Sequence, residues 1–229
     1  MPEIVTLGSF SLDGILLTAV ISAALGLTGL FFWTRLDRQL QDGPWIDLML
    51  NAIIIIGLVW KLGFLFRDPS LLWERPSSLL IVRGSVWDAV AGMLVSAVYL
   101  VIATRTRGLK PLHLAAVIPI ALLPAMMAWN MLTSLPNRIP YAVLFLLLYL
   151  ALLKLRKNGG TLLEILHIYL LGTGFGGLAV SLFVAWPPGE PVRLIFGLTA
   201  VQWLFVAHTV SGAFIRAPAA GLPDSKEIE

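Results

Sequence analysis

No cysteine occurs in the 229 residues. Disulfides, thiolate metal sites and a cysteine nucleophile are therefore excluded, as is a role as a thiol-linked lipoprotein or dithiol electron carrier. Charge is scarce as well: 13% of the residues are charged, against about 25% in an ordinary soluble domain. With 58% hydrophobic residues and a mean hydropathy of +0.88, a water-facing surface cannot be assembled. A basic leader is lacking too. Glu3 and Asp13 are the only charged side chains before the first apolar run, so that run reads as a retained helix and not a cleavable signal peptide. No HExxH, no phosphate-binding loop and no serine in a nucleophile elbow is present.

What the chain does have is long apolar runs of the length needed to cross a bilayer, about 20 residues each. They fall near residues 13–33, 46–66, 86–104, 112–134, 139–155, 162–186 and 193–214. The pattern predicts an all-α integral membrane protein, a bundle of about seven transmembrane helices filling residues 1–215, with a disordered cytoplasmic tail over 216–229. Basic residues predict the orientation. Arg35, Arg38, Arg105, Arg107, Lys110, Lys154, Arg156, Lys157, Arg216 and Lys226 fall on one side; Arg67, Arg75, Arg83, Arg138 and Arg193 fall on the other. The richer side is expected to be cytoplasmic, which places the N-terminus outside and the C-terminus inside. The outer link from Arg67 to Ser85, with Asp68, Pro69, Trp73 and Pro76 among apolar residues, reads as an amphipathic arm at the interface. The net charge of +3 sits in these short anchoring clusters, without the aromatic interleaving of a nucleic-acid surface, so no nucleic-acid partner is expected.

Ionisable residues inside spans are costly and mark candidate sites. Lys61, late in the second span, reads either as an anchor for an anionic lipid headgroup or as a lysine snorkelling to the interface. Asp88 opens the third span; it reads either as a partner of Lys61 or Arg83 in an outer polar pocket or as a first-turn acid favoured by the helix dipole. Glu164 and His167 share a helix face, but a single Glu-x-x-His near a span end points to an interfacial pair, not a di-iron site. His113 adjoins a basic link, and His208 lies deeper, either hydrogen-bonded to a neighbouring helix or serving as a general base. Gly172, Gly174, Gly176 and Gly177 read as a close helix-packing surface. From the residues alone no catalytic residue, metal site or cofactor is assigned.

Several stretches resemble the prolipoprotein diacylglyceryl transferase family, over about residues 12 to 214. Gly57-Leu58-Val59-Trp60-Lys61-Leu62-Gly63-Phe64 is similar to the family's Gly-Ala-Arg-Leu-Gly-Tyr segment, with Lys61 in the arginine's place. Pro76-Ser77-Ser78-Leu79-Leu80 followed by Arg83-Gly84-Ser85 resembles the arm leading into its His-Gly-Gly. Ile118-Pro119-Ile120 resembles the Ile-Pro-Leu before its Gly-Arg-Ile-Gly-Asn-Phe. Tyr169-Leu170-Leu171 up to Gly177 resembles its Tyr-Leu…Gly-x-x-Arg-Phe helix, and Gly197-Leu198-Thr199-Ala200-Val201-Gln202 the opening of its last helix. The family moves a diacylglyceryl group from phosphatidylglycerol to a lipobox cysteine, through seven spans with the N-terminus outside.

The polar residues of that chemistry are replaced here. The family's reactive histidine falls on Arg83, which stays protonated and cannot act as a base. Its two essential arginines fall on Met126 and Gly177, the glutamate after the second on Ser181, and its asparagine on Trp129, with Asn130 one residue away. The N-terminal tyrosine falls near Asp13. The resemblance thus implies a catalytically degenerate relative in a bacterial plasma membrane that binds a phospholipid such as phosphatidylglycerol, a lipoprotein or another membrane protein. Lys61, Arg83, Asp88, Asn130 and Arg138 are the expected headgroup-binding candidates. Two alternatives stand beside it: an active transferase using other groups, and a transporter or membrane-complex subunit.

Overall fold

The computed structural model describes residues 4–7, 10–66, 68–70, 73, 84–133, 138–183 and 194–215. The C-terminal tail, Arg83 and most of the outer arm lie outside the described residues. The chain is built of helices: α1 (Gly14–Leu36), α2 (Trp45–Leu62, continued by a 3-10 turn over Gly63–Phe66), α3 (Val86–Thr106), α4 (Pro111–Leu132), α5 (Ile139–Lys157), α6 (Leu162–Phe183) and α7 (Ala200–Phe214). An antiparallel hairpin precedes them. Its strands, β1 (Ile4–Leu7) and β2 (Phe10–Asp13), pair in the register Ile4 with Asp13 and Leu7 with Phe10. The helical fold class stands, and this hairpin is an addition that an all-α reading does not contain.

Among the described residues, six helices, α1 to α6, are long and apolar enough to cross a membrane. Their surfaces are dominated by exposed leucine, valine, isoleucine and phenylalanine, such as Val20, Leu94, Leu147 and Phe183. Such a surface is stable only against lipid, so the chain is a multi-pass membrane protein. The region expected as a helix over 193–214 differs. Residues 195–198 form a tight turn, with Ile195 and Leu198 exchanging two backbone hydrogen bonds (2.7 and 3.1 Å). Phe196 (φ 49°) and Gly197 (φ 79°) both adopt left-handed backbone, which no helix tolerates. The helix starts only at Ala200, where Thr199 and Gln202 form a capping box. Its 15 residues span about 22 Å, short of the roughly 30 Å hydrocarbon core.

The chain divides into two compact units, Ala19–Ala125 and Met1–Thr18 with Met126–Glu229. In the first, α1 crosses α4 at Gly26, where a Cβ would lie 2.6 Å from the Ala121 carbonyl oxygen and 2.9 Å from the Ala125 Cβ. Small residues permit this backbone approach, the main source of helix attraction where lipid removes the hydrophobic drive. Between α1 and α2, Asp37 organises the turn: its carboxylate accepts from the Gln39 amide (3.0 Å) and its carbonyl from the Leu40 amide (3.0 Å). The buried face of α2 carries Trp45, Leu48, Met49 and Ala52, and Gly92 of α3 abuts the Ile56 carbonyl. Pro119 and Pro124 lie inside α4; a membrane helix tolerates them because neighbouring groups satisfy the freed carbonyls.

In the second unit α6 is the central helix. Gly172 and Gly176 face Leu148 and Leu144 of α5, while Gly174 and Gly177 face Thr209 and Phe205 of α7. The glycine cluster thus serves close packing, as its sequence suggests, and the packing is within this unit on two different faces. The link from α5 turns at Gly159 (φ 86°), and the Arg156 guanidinium donates to the Gly160 carbonyl at 2.6 Å.

Candidate functional site

Lys61 lies half-buried in the last turn of α2. Two residues on, Gly63 offers no side chain, and the Asp88 carboxylate occupies that space: a Cβ on Gly63 would lie 2.5 Å from Asp88 Cγ and Oδ1. Asp88 is held there by the start of α3. Its Oδ2 accepts from the Ser85 amide (2.6 Å) and the Ser85 hydroxyl (2.8 Å), and the Ser85 hydroxyl accepts from the Asp88 amide (3.2 Å). This reciprocal capping box is the first-turn role anticipated for Asp88, and it also fixes a carboxylate beside the end of α2. Gly84 completes the arrangement by lying against the Trp60 carbonyl, while its own carbonyl accepts from the Trp60 indole N–H at 3.0 Å. Sequence reasoning named Lys61 and Asp88 but missed Trp60, Gly63 and Gly84, whose roles depend on a contact between segments more than twenty residues apart.

The other candidates are placed differently. Arg83 lies outside the described residues. Asn130 is buried in α4 and donates to the Met126 carbonyl one turn back at 2.7 Å. Arg138 stands at the N-cap of α5, half-buried and without a side-chain cap bond. Lys61 and Asp88 belong to the unit Ala19–Ala125, whereas Asn130 and Arg138 belong to the other.

Polar groups within the spans bond mostly to their own helices. Thr18, Thr28, Thr106, Thr133, Thr173 and Thr209 each donate to a carbonyl one turn earlier. This is the least costly way to bury a hydroxyl in hydrocarbon. His208 does the same through Nδ1 to the Leu204 carbonyl (2.8 Å), with its ring edge-on to Tyr169. His167 bonds through Nδ1 to the Gly212 carbonyl of α7 (3.0 Å). Because a carbonyl can only accept, Nδ1 carries the proton in both rings. Glu164 caps α6, accepting from the Thr161 amide at 2.7 Å, so it and His167 are engaged with different partners. His113 stacks on Trp45 at 6.1 Å.

No protein-family model matches the chain, and no curated protein matches it.

Two of the positions that the resemblance pairs with the family's polar residues, Gly177 and Ser181, are engaged by contacts within this unit. Gly177 abuts the Phe205 ring, which stacks on Tyr141 at 6.1 Å. Ser181 donates to the Leu178 carbonyl (2.7 Å) and accepts from Gln202 Nε2 (3.2 Å). Gln202 is buried, and its Oε1 also accepts from the Thr199 amide at 2.9 Å. A Gln202→Leu variant leaves that amide and the hydroxyl short of partners. It is expected to lose about 1–3 kcal/mol, seen as a lower melting temperature of the detergent-solubilised protein by circular dichroism. An unchanged melting temperature would show that α6 and α7 do not depend on this link.

Proposed function

We propose that the chain is a bacterial plasma-membrane protein with the seven-span, N-out architecture of the diacylglyceryl transferases, its seventh crossing made by the short α7 together with the apolar turn that leads into it, and without their chemistry, and that it binds a phospholipid headgroup, with phosphatidylglycerol the leading candidate. The observation that carries the loss of chemistry is Gly177, whose open side is filled by the Phe205 ring. Displacing a phosphoglycerol group requires cationic donors where charge develops, and one such donor is typically worth about 10²–10³ in rate. An aromatic ring in place of that donor, with Met126 in place of the other and Ser181 committed to Gln202, supports a binding role over a catalytic one.

The binding reading rests on the end of α2. Lys61 supplies a cation in the last turn of α2, where a lysine stem can carry its charge toward the headgroup layer, and the Ser85–Asp88 box orders the start of α3. Purified protein mixed with phosphatidylglycerol and a lipobox peptide is expected to release no glycerol phosphate above background, with an authentic family enzyme as positive control. Lipid extracted from the purified protein is expected to be enriched in anionic phospholipid, and Lys61→Gln to lower that enrichment by about fivefold, the yield of one interfacial charge pair. Release of glycerol phosphate would overturn the loss of chemistry; lipid content indifferent to Lys61→Gln would overturn the headgroup site.

A further inference from the structure

Asn51 lies in the membrane-spanning part of α2, six residues beyond its start and thus about 9 Å along the helix. Its side chain is exposed, and its Nδ2 donates to the Tyr99 hydroxyl of α3 at 3.0 Å. Most other intramembrane polar groups turn back onto their own helices, and the other cross-helix bonds, His167 to Gly212 and Gln202 to Ser181, join groups that are not exposed. An amide has two donors and a carbonyl acceptor with two lone pairs. One N–H is used on Tyr99; among the described residues the Asn51 carbonyl has no partner. Hydrocarbon offers it none, and an amide without partners there costs several kcal/mol.

The surrounding surface suits a helix. At about 100° per residue, Trp45, Leu48, Ala52 and Ile56 fall on one side of α2 and Leu50, Ile54, Gly57 and Leu58 on the other, with Asn51 at the edge of the second group. The first side is the packed one. On the second, Leu50, Ile54 and Leu58 are 42%, 47% and 54% exposed, and a Cβ built on Gly57 meets nothing within 4 Å. An apolar stripe with a polar amide at one edge and a glycine at the other has the composition of a membrane helix–helix interface.

We propose that this face is the contact between two copies of the chain, with Asn51 of each copy hydrogen-bonded to Asn51 of the other. Two copies inserted with the same orientation are related by a two-fold axis along the membrane normal. Each residue then meets its own counterpart at equal depth. An amide is self-complementary under that operation because its free N–H meets the other's carbonyl, whereas a lone donor or lone acceptor is not. The proposal is independent of the lipid-headgroup reading.

The chain lacks cysteine, so an introduced one reports without background. Purified full-length protein carrying Ile54→Cys, reconstituted in phosphatidylethanolamine–phosphatidylglycerol vesicles and oxidised, is expected to form a covalent dimer. Leu147→Cys, exposed on α5, is expected not to. In dilution energy-transfer measurements, Asn51→Leu is expected to weaken self-association about tenfold, and Asn51→Gln, which keeps the amide, to weaken it less. Leucine suits a lipid-facing position, so unchanged helicity in Asn51→Leu separates lost association from misfolding. A monomer at every dilution, association indifferent to Asn51→Leu, or a different protein or lipid held stoichiometrically through Asn51 by a monomeric chain would each overturn the proposal.

Discussion

Gly174→Ala is expected to destabilise the protein by about 2 kcal/mol, while Gly172→Ala, two residues away on the same helix, changes stability by less than about 0.5 kcal/mol. The substitutions are chemically identical, and both remove a glycine from a helix interior, which by propensity alone stabilises by up to about 1 kcal/mol. What differs is the neighbour. At Gly174 the new methyl would lie 2.6 Å from the Thr209 amide nitrogen and 2.9 Å from the Phe205 carbonyl oxygen, both backbone atoms of α7. Backbone cannot rotate aside, so α7 must move away from α6. That shift also strains the Gln202–Ser181 hydrogen bond near the start of α7. At Gly172 the methyl meets the far end of the Leu148 side chain, which has other rotamers available. Thermal unfolding of the two variants in the same detergent separates them. Equal melting temperatures would mean that α6 and α7 are not in backbone contact at this point.

Gly84→Val is expected to abolish the Lys61-dependent enrichment of anionic lipid and to lower stability by about 2–3 kcal/mol. A side chain on residue 84 runs directly into the Trp60 carbonyl oxygen, so the segment must lift off α2. Lifting it breaks the Trp60–Gly84 hydrogen bond and withdraws Asp88, four residues on, from the space beside Gly63. Ser85→Ala is the matched control. It removes the hydroxyl of the capping box, at about 1 kcal/mol, but leaves residue 84 seated on α2. Lipid enrichment is therefore expected to survive Ser85→Ala and to be lost in Gly84→Val, as measured by mass spectrometry of extracted lipid. Loss in both would assign the effect to the cap, and loss in neither would separate the headgroup site from this contact.

Much of the helical layout was legible in the residues because hydrocarbon imposes one rule, that backbone polar groups be satisfied within a continuous apolar segment. The expected runs near 13–33, 46–66, 86–104, 112–134 and 139–155 correspond closely to α1 through α5. The last run was misjudged at its start, since Leu194, Ile195 and Phe196 are apolar whether they form a helix or a turn. The N-terminal hairpin was invisible for a related reason. Strand pairing between Ile4–Leu7 and Phe10–Asp13 is a matter of register between two segments, and their composition does not set them apart from the apolar run that follows.

The candidate site divides in the same way. Composition and charge placement determined by themselves that this is a membrane chain, that Lys61 and Asp88 stand at helix ends, and that the glycines of α6 serve close approach. Each of these follows from transfer energies or steric size, which belong to a residue and its sequence neighbours. Only the tertiary structure decided that α6 spends its glycines on α5 and α7, that Phe205 fills the space beside Gly177, that Asp88 sits against Gly63, and that Asn51 meets Tyr99 on an exposed face. Those are contacts between helices, and in lipid they are set by small differences in van der Waals fit and hydrogen-bond geometry. The sequence carries these terms, but no local pattern within it displays them.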